Sequence, residues 1–188
     1  INIGNYAFSS CYNLTSVTIG NGLKSIGDKA FEYCTRLANI SIPDSVTNIG
    51  DGAFLRCGLL TDINIPNGVQ KIGKDAFSGC SSLPMIDSVR YADTYLIRAV
   101  GCSMTSCSIK EGTRFIAENA FLECKSLTNV TIPESVTSIG NQAFVRCWSL
   151  ADITLPENIT RIEDNTFFDC RSLTNVTIPN SVTSIGKQ

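Results

Sequence analysis

At 188 residues, 43% apolar and 17% charged, the chain is long enough for a continuous core and is not composed like a disordered segment. A formal net charge of -2 gives no dense basic face for a polyanion, and no apolar run approaches the roughly 20 residues that cross a bilayer, so neither nucleic acid nor direct membrane insertion is expected. Histidine is absent, which removes the commonest general base and the commonest metal ligand; no metal and no cofactor is expected.

The first elements already repeat. Ile1-Asn2-Ile3-Gly4 leads to Phe8, Cys11 and Leu14, and the same letters return at Phe31, Cys34 and Leu37, at Phe54, Cys57 and Leu60, and at Phe77, Cys80 and Leu83. The interval is 23 residues each time. The unit reads L-x-x-[VI]-x-[IL]-P-x-x-[VI]-x-x-I-G-x-x-A-F-x-x-C. In it, [VI]-x-[IL] alternates with a period of two and predicts a short strand with its β-branched side chains turned inward. Proline, as at Pro43 and Pro66, ends that strand because it cannot donate to a ladder. A second short apolar pair follows, then a glycine that suits positive φ or close approach of a neighbouring backbone. The Ala-Phe pair opens a compact return, read as a turn or one turn of helix.

One such unit cannot bury its apolar side alone, whereas stacked copies cover one another. The prediction is a single solenoid over residues 1–188 of about eight coils, with strands beginning at Leu14, Leu37, Leu60, Leu83, Met104, Leu127, Leu150 and Leu173. The chain opens and stops inside a copy, as expected of a piece of a longer array. On the early strands the outward positions are Ser16, Thr18, Asn39, Ser41, Asp62 and Asn64, short polar groups that suit a hydrogen-bonding surface.

The pattern degrades between residues 84 and 108. There Val89-Arg90-Tyr91 and Tyr95-Leu96-Ile97-Arg98 flank Ala92-Asp93-Thr94 and predict a β-hairpin. Arg90, Tyr91, Tyr95 and Arg98 are the aromatic and guanidinium types that anchor interfaces, and form one candidate recognition site. Register returns by Ile109 and Ile116. Phe121, Phe144 and Phe167 then carry Cys124, Cys147 and Cys170 three residues on, at the same 23-residue interval. Asn129, Thr131, Asp152 and Thr154 continue the outward strand positions and complete the second candidate site. Along the return turns run Arg36, Arg56, Lys125, Arg146 and Arg171, with Trp148 among them.

Seven of the nine cysteines share one repeat position, where a small side chain is wanted between Phe and Leu. They are read as buried free thiols acting as small hydrophobes; bridging between neighbouring coils is the alternative. Cys107 takes an inward strand place, and Cys102, with no equivalent elsewhere, is read as an exposed thiol.

The asymmetric mix of Leu, Pro, Gly, Ala-Phe and Cys resembles the BspA-type, or treponemal-class, leucine-rich repeats over nearly the whole chain. The resemblance implies a right-handed leucine-rich repeat solenoid with a parallel β-sheet on its concave side. It implies a secreted or cell-surface protein, several such proteins being adhesins, and it carries no catalytic residues. The expected function is a non-catalytic protein-recognition or adhesion module. A structural spacer without a ligand of its own is the second reading. The expected partner is a protein of a host or neighbouring-cell surface or matrix, and exposed coil ends suggest end-to-end self-association.

Overall fold

A computed structural model describes residues 1–187; Gln188 lies outside the described residues. Packing gathers the chain into two compact units, Ile1–Pro84 and the part from Met85 onward. In each, every regular coil contributes three stacked rows.

Two of those rows are parallel ladders. In the first unit Asn2–Ile3, Ser25–Ile26, Asn48–Ile49 and Lys71–Ile72 form a four-stranded sheet, and Ser16–Val17, Asn39–Ile40 and Asp62–Ile63 form a three-stranded one. Register is one coil per strand: Asn39 faces Asp62, and Asn48 faces Lys71. In the second unit Ser106–Ser108 pairs with Asn129–Thr131, Asp152–Thr154 with Asn175–Thr177, and Arg161–Ile162 with Ser184–Ile185, all parallel. Inward residues of these strands, such as Ile40, Ile63, Val130 and Ile153, are buried while their neighbours face out.

The third row is the phenylalanine stack. Phe54 lies 5.3 Å from both Phe31 and Phe77, with rings within 5° of parallel. Phe8 extends this stack, and Phe121, Phe144 and Phe167 build the same one in the second unit.

The return segment is not a helical turn, and no helix occurs among the described residues. Residues two before and two after each phenylalanine have positive φ: Tyr6 and Ser10, Lys29 and Tyr33, Asn119 and Glu123, Gln142 and Arg146. A helix needs one backbone hand throughout, so alternation forbids it. Alternation aims successive amides in different directions. Tyr6, Phe8 and Ser10 donate to the next coil at Asp28, Ala30 and Glu32, over 2.9, 2.8 and 2.7 Å. Ala7, Ser9 and Cys11 between them donate back within the coil, to Gly4, Tyr6 and Phe8. The pattern recurs one coil on and again in the second unit, so the amides of the return segment find carbonyls alternately on the next coil and within their own.

The recurrent glycine serves close approach, not positive φ. A Cβ on Gly50 would lie 2.6 Å from the Asp28 nitrogen and 2.7 Å from the Gly27 carbonyl carbon. That space lets the Asp28 carboxylate accept the Asp51 N–H at 2.9 Å, and Asn5 does the same for Asp28.

The cysteine row has a polar job as well as an apolar one. The thiols of Cys34, Cys57, Cys80, Cys147 and Cys170 donate to the phenylalanine carbonyl one coil back, at 3.0–3.2 Å. Burial is the main cause that pushes the thiols of Cys34 and Cys147 up to about 12, and those of Cys107 and Cys170 up to about 11. The reading of nine free thiols is corrected. Cys102 and Cys124 are joined in a disulfide, with Cα atoms 4.6 Å apart. Cys102 stands 22 residues before Cys124, so it fills the ladder place of the irregular coil and is not a stray exposed thiol.

The fourth predicted strand leaves its row. Met85–Ile86 pairs antiparallel with Val89–Ala92, which pairs antiparallel with Tyr95–Ala99. Tyr95–Ala99 then runs parallel to Phe115–Ile116, and that strand to Ser138–Ile139, closing a five-stranded mixed sheet.

Candidate recognition faces

On the strand face of the first unit, Asn39, Ser41, Asp62 and Asn64 are all exposed. They are not equally available. The Asn64 side chain donates to the Ile42 carbonyl at 3.0 Å and accepts the Ile42 N–H at 3.1 Å, extending the ladder with an amide in place of a strand. Asn39, Ser41 and Asp62 lie in the open row beside it.

In the second unit the structure brings Asn129, Thr131, Asp152 and Thr154 together. All four are exposed, and all four line one depression of about 350 Å3 with Val130, Ile132, Glu134 and Ile153. It lies where the pair holding Asn129–Thr131 meets the pair holding Asp152–Thr154. Asp152 accepts from the Asn175 amide at 2.6 Å, while Glu134 accepts the Glu157 N–H at 3.1 Å and its carbonyl accepts from Asn158 at 2.7 Å. The floor is aliphatic and the rim carries hydroxyl, amide and carboxylate groups. Such a surface can orient a partner by hydrogen bonds; among the described residues it gathers no nucleophile with a base beside it.

The hairpin divides its candidate residues. Tyr91 and Tyr95 are 2% and 5% exposed, so they belong to the core and offer no ring to a partner. Tyr91 accepts the Lys110 N–H at 3.3 Å, and burial raises its hydroxyl above the usual range. Tyr95 packs against Phe115 with centroids 6.4 Å apart. Arg90 is half-buried and Arg98 exposed. Their relation is set by a register shift between Leu96 and Arg98, which places Arg98 directly opposite Arg90. Sequence alternation alone did not reveal that shift.

The return turns hold a charged network that sequence reasoning left as a row of separate residues. Arg146 donates to Glu123 at 2.7 Å, Arg171 to Asp169 at 2.9 Å, and the Trp148 indole N–H to Asp169 at 3.2 Å. Arg171 chiefly holds the Asp169 carboxyl below its ordinary range, and Arg146 does so for Glu123. The cations of Lys125 and Arg171 lie 4.4 and 4.7 Å from the Trp148 ring. Trp148 is therefore fixed by neighbours of its own chain.

Residues 1–95 and 100–188 match the model of the BspA type leucine rich repeat region, in six copies. The chain belongs to this family. Among solved structures it is similar to the leucine rich repeat protein of T. pallidum, at 29% identity and a TM-score of 0.50, over 98% of this chain and 77% of that one. It is similar to a leucine-rich repeat protein from Bacteroides ovatus at 27% identity and a TM-score of 0.50, over 99% of this chain and 56% of that one. The pneumococcal vaccine antigen PcpA shares the fold at 20% identity and a TM-score of 0.54, over 98% of this chain and 56% of that one. The chain thus spans little more than half the length of two of these three proteins. No curated protein matches it.

Proposed function

We propose that the chain is a non-catalytic recognition module of a secreted or surface-displayed protein, binding a protein partner through the strand face of its second unit. The observation that carries this reading is the depression rimmed by Asn129, Thr131, Asp152 and Thr154, where exposed hydrogen-bonding groups converge over an aliphatic floor. Membership of a repeat family built for extended surfaces supports it. The Cys102–Cys124 disulfide supports an extracellular setting, because such bonds persist in oxidising compartments. The test is a pull-down from host-cell surface and matrix extracts with the intact chain and with a variant carrying alanine at those four positions. A protein retained by the first and lost by the second is the expected result. Equal retention by both sinks the assignment to this face.

A structural spacer is the second reading, favoured by one observation. Asn64 and Asp152 use their side chains to tie neighbouring coils together, as the rungs of a stiff rod would. If no extract yields a retained protein under any condition tried, this reading stands in its place.

A further inference from the structure

We propose that the depression rimmed by Asn129, Thr131, Asp152 and Thr154 takes a basic polypeptide segment, whose lysine or arginine side chains lie along its floor and end on Asp152 and Glu134. This rests on the strand-face reading above and names the chemistry of the partner that the site fits.

The depression is present because the strand row opens there. In the first unit the same junction is shut: the Asn64 side chain donates to the Ile42 carbonyl at 3.0 Å and accepts the Ile42 N–H at 3.1 Å. Asn64 stands two residues after Asp62 at the head of its strand, and the matching place after Asp152 holds Thr154, which makes no such closure. Among the described residues the Ile132 N–H finds no acceptor. At equivalent places Ile42, Ile109 and Leu155 donate to the Asn64 side chain and to the carbonyls of Thr131 and Thr177, at 3.1, 3.0 and 3.2 Å. The side chains of Asn129, Thr131 and Thr154 likewise have no partner among the described residues. Elsewhere in this unit Thr128, Thr137 and Thr174 spend their hydroxyls on the preceding coil. A row of unspent hydrogen-bonding groups over a backbone donor favours an occupant that brings acceptors.

The charge here is one-sided. Asp152 heads its strand and Glu134 lies three residues past the end of the neighbouring one, so the two carboxylates sit at opposite ends of the depression. Each has one oxygen fixed by a neutral donor, the Asn175 amide at 2.6 Å for Asp152 and the Glu157 N–H at 3.1 Å for Glu134. Each keeps its charge and its second oxygen, since among the described residues no Lys or Arg pairs with either. Carboxylates of the return turns differ: Glu123 and Asp169 are matched by Arg146 and Arg171. Exposed Glu157, at the place of Glu134 one coil on, adds a third negative charge. The complement of such a site is cationic.

Lysine and arginine suit the floor as well as the rim. Their methylene stems pack on aliphatic surface while the head reaches a carboxylate, and Val130, Ile132 and Ile153 supply that surface. From Asn129, the equivalent of Asp152, the neighbouring strand runs five residues to Glu134, on the order of 15 Å. That span suits an extended segment with two basic side chains about four residues apart, its peptide groups meeting Asn129, Thr131 and Thr154 between them. A linear polyamine could satisfy both carboxylates, but it offers donors only and leaves the Ile132 N–H without an acceptor, so a polypeptide is favoured.

The test uses a fluorescein-labelled decapeptide of serine and threonine with two lysines about four residues apart, read by fluorescence anisotropy at low and physiological salt. We expect binding that weakens with salt. D152N and E134Q keep the acceptor oxygens that hold the coils and remove the charges; each should weaken binding about fivefold, and the pair about tenfold or more. T154N keeps both carboxylates but should close on Ile132 as Asn64 closes on Ile42, and weaken binding as much. D44N, the place of Glu134 in the first unit, should leave it unchanged. Urea midpoints near that of the parent confirm that the variants fold. The proposal is overturned if the peptide does not bind, if D152N/E134Q or T154N binds it as the parent does, or if a glutamate version binds equally. It is also overturned if a linear triamine binds more tightly and is lost with D152N/E134Q. A protein retained from extracts through the four rim positions, while the lysine peptide is not bound, overturns this proposal alone; equal retention by the four-alanine variant overturns the strand-face reading with it.

Discussion

Replacing Gly50 by alanine should destabilise the first unit, against the usual sign of that substitution. Where the backbone tolerates a side chain, Gly→Ala stabilises by about 0.4–1 kcal/mol by restricting the unfolded chain. At Gly50 the new Cβ would sit 2.5 Å from the Asp28 carboxylate oxygen, 2.6 Å from the Asp28 nitrogen and 2.7 Å from the Gly27 carbonyl carbon. An ordinary contact is about 3.5 Å, so two coils must part by about 0.8 Å. Two bonds cross that gap, Gly50 N–H to the Ile26 carbonyl at 2.8 Å and Asp51 N–H to Asp28 at 2.9 Å. Both would stretch beyond hydrogen-bond range, at about 1 kcal/mol each, with about 1–3 kcal/mol more for overpacking. After the entropic gain is subtracted, the net loss is about 2–4 kcal/mol. Gly20→Ala is the control, since nothing lies within 4 Å of where its Cβ would stand and it should stabilise slightly. Urea denaturation followed by far-ultraviolet circular dichroism measures both. If the two substitutions shift the midpoint in the same direction, the close-approach argument is wrong.

Other outcomes follow from the core and the sulfur chemistry. Phe54→Ala, removing a fully buried ring from between two others, should cost about 3–5 kcal/mol in the same assay. Unreduced, unfolded protein should titrate seven thiols, the nine cysteines less the bridged pair, whereas the native protein should show one fast thiol, the exposed Cys11. Nine thiols would refute the bridge. Reducing Cys102–Cys124, which closes a 22-residue separation, should lower stability by about 3 kcal/mol, read as a shift in urea midpoint. Because folding raises the thiol values of Cys34, Cys107, Cys147 and Cys170 from 9.0 to about 11–12, the protonated forms favour the native state. That contribution is complete below about pH 9 and is lost as pH rises from 9 towards 12, so midpoints at pH 8, 10 and 11.5 should fall in that order.

The repeating contacts were legible because every coil makes them with the same letters. The period of Phe8, Phe31, Phe54 and Phe77 alone implies rings in a row, and they lie in one. The return segment was not legible, since its left-handed positions hold Tyr, Ser, Lys, Arg, Asp, Asn, Gln and Glu, whose variety conceals a shared backbone demand. Only Gly52 and Gly79, at two of those positions, hint at it. Cys102 escaped the ladder because its coil is one residue short of the period. The hairpin residues were found, but their faces were not: in a stretch with aromatic and aliphatic residues at both parities, alternation does not say which side turns inward, and a single extra residue at Ile97 decides where Arg98 points. On the strand face, composition located Asn64 but could not show that its amide closes on Ile42.

The alternating amides of the return segment also limit how such a chain can change in length. Within each unit neighbouring coils are tied at the return, and most of them also at the ladders, so one inserted residue would put the later side chains of that unit out of step with their neighbours. Gain or loss of whole coils leaves those ties intact, which makes duplication and deletion of 23-residue blocks the tolerated edits. The hairpin is different: its antiparallel ribbon absorbs a Phe-to-Phe spacing of 44 residues, so it is the place where novelty can enter without unpicking the stack.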